Sequence, residues 1–136
     1  MPAWRFYKRE ALRYGKNPLY NIPILSRDRV EVFIKAICDK YELPYPKISY
    51  RGIKFHSCNR KRDRITFIPD DITVGVLAHE MGHYYTKHRG GHLHHNEELM
   101  RLVGTMLCFL DDFVMDEHDR LGVKHPYRKS MIVEAE

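Results

Sequence analysis

The chain has 136 residues, 43% apolar and 30% charged, with a formal charge of +5. That composition is globular rather than disordered, and the length supports one core burying roughly 68% of the unfolded surface, not two. No apolar run reaches the ~18 residues that span a bilayer, which excludes a membrane-spanning helix.

The start, Met1-Pro-Ala-Trp-Arg-Phe-Tyr-Lys-Arg-Glu10, carries basic residues with no apolar stretch behind them, so no secretory leader is expected. Residues 1–27 are punctuated by Pro2, Gly15, Asn17-Pro18 and Pro23 and read as irregular chain. Their aromatic and basic mixture (Trp4, Phe6, Tyr7, Tyr14, Tyr20) suits a segment that docks on the fold or covers a cleft as an inhibitory strap. Asp28 is a plausible cap for a helix over about 29–41, whose apolar face is Val30, Phe33, Ile34, Ile37 and Tyr41. Pro44 and Pro46 follow it. Short strands are predicted at Lys47–Tyr50, Ile53–Cys58 and Arg64–Ile68, with a charged turn at Asn59–Asp63. Asp70 or Asp71 can cap a helix over about 72–88, which Gly90-Gly91 breaks. Asn96 caps a long helix over about 97–121, with Glu97 and Glu98 where the helix dipole favours anions and Gly122 as the stop. Strands grouped between helices make a single α+β domain rather than a doubly wound parallel sheet.

Charge is uneven along the chain. Residues 1–29 hold seven basic side chains against two acidic, residues 47–64 seven against one, and residues 97–119 one against seven. The plain reading is a solvated surface whose unlike regions attract. The functional reading is a nucleic-acid interface through Arg60, Lys61, Arg62 and Arg64, which would make the chain a DNA-associated binding module. Cys38, Cys58 and Cys108 are an odd set without short spacing, and a reducing, cytoplasmic setting is expected. Of nine histidines, eight lie between His79 and His125.

His79-Glu80-Met81-Gly82-His83 carries the chemistry. On a helix, positions i and i+4 share a face, so His79 and His83 can bind one Zn²⁺ at ~2.0–2.1 Å. Glu80 lies beside that face, where it reaches a metal-activated water and serves as general base, then acid. This is peptide-bond hydrolysis with a polypeptide as substrate. Tyr84, Tyr85 or a more distant histidine could stabilise the oxyanion. His88, His92 and His94 read as solvated loop histidines and Cys58 as a buried thiol.

With Leu77-Ala-His-Glu-Met-Gly-His83 following a strand that ends Ile65-Thr-Phe-Ile68, the chain resembles the zincin metallopeptidases over about residues 30–107. The resemblance implies a small sheet, an active-site helix and a following helix that supplies the third metal ligand. The metzincin form is excluded, because Thr86 and Arg89 stand where its glycine and histidine belong.

Three variants remain, differing in that third ligand. Glu97-Glu-Leu-Met-Arg-Leu-Val-Gly-Thr-Met-Leu107 is similar in spacing to the ExxANxFAxxL segment of ImmA/IrrE-type gluzincins, with Met100 and Arg101 in place of alanine and asparagine. His95-Asn-Glu-Glu-Leu99 resembles the HGxxW/F element of three-histidine SprT-like domains, which are DNA-associated proteases; Leu43-Pro-Tyr-Pro46, Arg51-Gly52 and Ser57-Cys58 resemble parts of their upstream region. Asp112-Phe-Val-Met-Asp116 is similar to the acidic segment of other gluzincins, with aspartate for glutamate. If the two helices pack antiparallel, Asp112 lies ~22 Å along the second one, which favours ligands near its start. The expected set is His79, His83 and Glu97, with Glu98, His95, Asp112 and Asp116 as alternatives.

Overall fold

A computed structural model describes residues 3–24, 26–52, 56–59, 63–90 and 95–122. The fold is mixed α and β: α1 (Ala3–Tyr14), α2 (Arg27–Tyr41), β1 (Lys47–Tyr50), β2 (Ser57–Asn59), β3 (Arg64–Phe67), α3 (Val74–His88) and α4 (Glu97–Leu121). Strand β3 pairs in parallel with β1, Ile48 opposite Ile65, and antiparallel with β2, Cys58 opposite Ile65. The order is β1-β3-β2. Ile65 and Phe67 of β3 are fully buried, so this strand is the sheet's contribution to the core.

Helix α3 lies at the centre. Ten of its residues, including His79, Glu80 and His83, are buried, which is what a helix covered on several sides requires. The longest helix, α4, packs chiefly on it through Leu99, Val103, Met106 and Leu107. A Cβ added at Gly82 would stand 2.8 Å from Leu99 Cδ1. Glycine at this point of the HExxH motif therefore leaves room for the end of the Leu99 side chain from the first turn of α4. Helix α2 buries Val30, Phe33, Ile34, Ile37 and Cys38, the apolar face that its periodicity predicts.

The boundaries show which signals the backbone obeys. Asn96 caps α4 by accepting from Leu99 N–H at 3.0 Å, and Gly122 ends that helix in the left-handed region at φ 68°. The other two caps differ from expectation. Ser26, not Asp28, accepts from Arg29 N–H, and Asp28 instead sits in the first turn of α2. Thr73, not Asp70 or Asp71, accepts from Val76 N–H. Asp70 takes a positive φ of 65° in the turn before α3. In each case the hydroxyl sits one residue before the first helical turn, while the aspartates lie too far in or too far out. Of the strand expected over Ile53–Cys58, Ser57 and Cys58 are extended and pair with β3; residues 53–55 lie outside the described residues.

The largest correction concerns residues 1–27. Rather than irregular chain, they begin with α1, twelve residues long. Its inward stripe is Phe6, Glu10 and Tyr14, four residues apart. A carboxylate in the middle of that stripe breaks the apolar period by which a helix is recognised. The segment after α1 is held by backbone bonds to the entry of α3: Ile24 N–H donates to Ile72 O, Val74 N–H to Ile22 O and Gly75 N–H to Tyr20 O, at 2.8–3.0 Å. A Cβ at Gly75 would meet the Tyr20 ring at 2.6 Å, so this glycine too permits a close approach. No helix among the described residues is long and apolar enough to cross a membrane.

Candidate metal centre

His79 and His83 lie one turn apart on the same face of α3, with ring centroids 4.9 Å apart. His95, just before the cap of α4, completes a triangle: its ring lies 5.4 Å from that of His79 and 5.0 Å from that of His83. Each of the three can offer one nitrogen such that all three lie within 4.8 Å of one another. Among the described residues this is the group that could hold a metal ion.

The protonation states suit ligation. Burial pushes His83 down to about 3, helped by the neighbouring His79 and His95 imidazoles. Burial also lowers His95, again helped by His79. Both rings are therefore neutral near pH 7 and present a lone pair, the form a metal requires. His79 Nδ1 lies 2.7 Å from Glu10 Oε2, with both side chains only 2% exposed. A carboxylate oxygen accepts, so Nδ1 is the nitrogen that donates in this bond, which leaves Nε2 as the nitrogen available to a metal. Three buried atoms near this point have no hydrogen-bond partner: His79 Nε2, His95 Nε2 and Glu80 Oε2. Leaving such atoms bare costs about 1–3 kcal/mol each. A cation with a bound water would satisfy them together, so the side chains present fit a metal.

Glu80 is 3% exposed. Its pKa is pushed up to about 7, chiefly by burial and further by Glu10, while His79 pulls the other way. It lines a cavity of about 300 Å³ together with Tyr7, Tyr20, His56, Ile68 and Val76. Aromatic residues of α1 cover the histidines. Tyr7 stacks on His79 with centroids 4.6 Å apart and planes at 22°, and Phe6 lies 5.5 Å from His79 and 5.1 Å from His95. Burial, and then the Glu80 and Glu10 carboxylates, raise the Tyr7 phenol above its ordinary pKa.

The expected third ligand, Glu97, is not brought into this group. Its carboxylate is 43% exposed and pairs with Arg13 Nη1 at 2.6 Å and Arg9 Nη2 at 3.5 Å. Arg13 holds it below the usual carboxylate range. Its place in the first turn of α4 points it toward the arginines of α1, while His95, two residues earlier, meets the α3 histidines. Glu98 is exposed in a groove beside Tyr85, Arg89 and Arg101. Asp112 and Asp116 are exposed further along α4, where the length of that helix carries them from its start.

Tyr84 is fully buried and donates its hydroxyl hydrogen to Pro44 O at 2.7 Å, so it serves the core. Tyr85 packs edge-on against Tyr41. His56 lines the cavity: its Nδ1 accepts from Ile68 N–H at 3.0 Å and its Nε2 lies 3.5 Å from Asp71 Oδ2. Cys58 is a half-buried cysteine outside any disulfide. His92, His94, Arg60, Lys61 and Arg62 lie outside the described residues, and Arg64 is half-buried at the start of β3.

The residues that motif reading does not reach are Glu10, Phe6 and Tyr7. Their sequence signal is faint: an acid at a stripe position between two aromatics, Phe6 and Tyr14, in a segment otherwise rich in arginine and lysine. No protein-family model, curated protein or solved structure matches this chain. A functional assignment accordingly starts from three imidazoles, two buried carboxylates and the cavity beside them.

Proposed function

We propose that the chain is a zinc-dependent metallopeptidase with a zincin-like arrangement, hydrolysing peptide bonds in polypeptide substrates. The observation that carries this reading is the convergence of three imidazoles, His79 and His83 buried and His95 half-buried, beside a buried carboxylate with an unpartnered oxygen. Of the variants weighed from sequence, the three-histidine, SprT-like one suits this set best, with His95 in place of Glu97.

His79, His83 and His95 would hold the ion, and all-imidazole ligation suits zinc. Bound there, zinc supplies Lewis acidity toward a water and a substrate carbonyl. Glu80 Oε2 receives a proton from the attacking water and returns it to the leaving amine. Burial raises this carboxyl in the metal-free chain; a bound cation would draw it back toward the ionised form that accepts a proton from water. Tyr7 and Phe6 shield the histidines from bulk water on the α1 side, which strengthens the electrostatics within. The 300 Å³ cavity offers room for a substrate side chain beside Glu80.

The test is Glu80→Gln, assayed on a denatured protein substrate. The variant should keep one equivalent of zinc and lose cleavage by about 10²–10⁴-fold, the range for a general acid–base group. Undiminished cleavage would remove Glu80 from the chemistry, and no cleavage by the unaltered zinc-loaded protein would remove the peptidase reading.

A further inference from the structure

We propose that α1 is a working part of the metal centre and that Glu10 is its positioning residue, fixing the His79 ring so that Nε2 faces His83 and His95. The proposal rests on the zinc reading above and extends it to a segment that sequence alone casts as a docking or inhibitory strap.

Glu10 is 1% exposed, and outside the HExxH motif it is the buried charged side chain of the described core. Its two oxygens are both taken: Oε1 accepts from Tyr20 O–H at 2.8 Å, and Oε2 meets His79 Nδ1 at 2.7 Å. No lysine or arginine pairs with it among the described residues. Arg9 and Arg13, on its own helix, turn outward to Glu97 instead. A buried carboxylate is costly unless positive charge lies close by. The far side of the His79 ring, where Nε2 is bare, is where a cation would supply it. A carboxylate behind a ligating histidine sets the tautomer and raises the basicity of the metal-binding nitrogen.

The rest of α1 is built to hold that carboxylate still. Tyr7 and Phe6, three and four residues before Glu10, lie against the His79 and His95 rings. One turn after Glu10, Tyr14 donates to Met100 O at 2.7 Å and ties α1 to α4. Tyr20, the second donor to Glu10, is itself seated against Gly75 at the start of α3. The helix is thus fastened to α3, which carries His79 and His83, and to α4, whose start His95 precedes. An inhibitory strap would have to leave the site intact on release, whereas loss of α1 would take the His79 partner with it.

Two measurements on the full chain test this. In metal-free protein, ¹⁵N NMR of the imidazoles should find His79 with its proton on Nδ1. The near-isosteric Glu10→Gln can still accept from His79 and keep a contact to Tyr20. It should leave thermal unfolding of the metal-free protein nearly unchanged while weakening zinc affinity, read by chelator competition, roughly 10–100-fold. An Nε2–H tautomer in the unaltered protein, or zinc affinity within about twofold in Glu10→Gln, overturns the proposal. A chain that takes up no zinc overturns the zinc reading, and the tautomer measurement in metal-free protein then still decides whether Glu10 orients His79.

Discussion

Glu10 of α1 and Glu97 of α4 are the same side chain in two opposite settings. Glu97 lies near the motif in sequence and at the first turn of a helix, and it remains on the surface, neutralised by Arg13 and Arg9. Glu10 lies 69 residues from His79 in sequence, is almost fully buried, and bonds to an imidazole and a phenol rather than to a guanidinium. The contrast teaches that proximity along the chain does not decide which acid serves a site. What decides is whether a guanidinium or a ligand-bearing imidazole is there to meet the charge.

Substitutions at the histidine and acid of the α4 entry test that contrast most sharply. His95→Ala should lower zinc affinity by orders of magnitude, while Glu97→Ala should stay within about twofold of the unaltered protein; removing one of three ligands is a loss that a surface ion pair does not mimic. The reverse result, read by chelator competition, would restore Glu97 as the ligand. A smaller effect follows from the spacing of α3 and α4. Gly82→Ala meets only the mobile end of the Leu99 side chain and gains about 1 kcal/mol of helix propensity, so denaturant unfolding should stay within about 1 kcal/mol and zinc affinity near that of the unaltered protein. A loss of more than about 2 kcal/mol would show that Leu99 cannot yield and that the glycine sets the approach.

The smallest effect concerns a carboxylate between the two extremes. Glu117 is 18% exposed and receives two bonds from Arg29, at 2.8 and 2.9 Å. Arg29 holds it below the usual carboxylate range. A depressed folded pKa contributes stability above the unfolded pKa and loses it as pH falls through the folded one. The stability gap between the unaltered protein and Glu117→Gln should therefore be full near neutral pH and close in acid. A gap that persists unchanged into acid would show that shape, not charge, holds α2 to α4.

Where the sequence was legible, a local signal coincided with the tertiary demand. The α3 helix combines an apolar run with HExxH, and α4 combines the Asn96 cap with the Gly122 stop, so both were readable to within two residues. The inward face of α2 was readable from its period. Helix α1 was not, because its central inward position is occupied by Glu10, and a site residue placed on a core stripe hides the very period that announces a helix. The third histidine was equally hard to single out. His95 sits at the end of a histidine-rich stretch and two residues before the helix begins, so no helical spacing relates it to His79 and His83. Glu97, inside the helix and in a familiar spacing, was the more conspicuous residue for reasons that concern the helix dipole and Arg13 rather than a metal.

The Glu10–His79 bond joins the two ends of a long loop of chain, and His95 reaches back to the same ring from the other side. A site made this way has no local version. A short peptide containing only the HExxH turn would hold two imidazoles in no fixed tautomer and without a third. Loading of an ion would thereby depend on the closure of distant contacts, which is slower than helix formation. An ion held by these side chains is held by the whole molecule, and on heating it should leave with global unfolding instead of ahead of it.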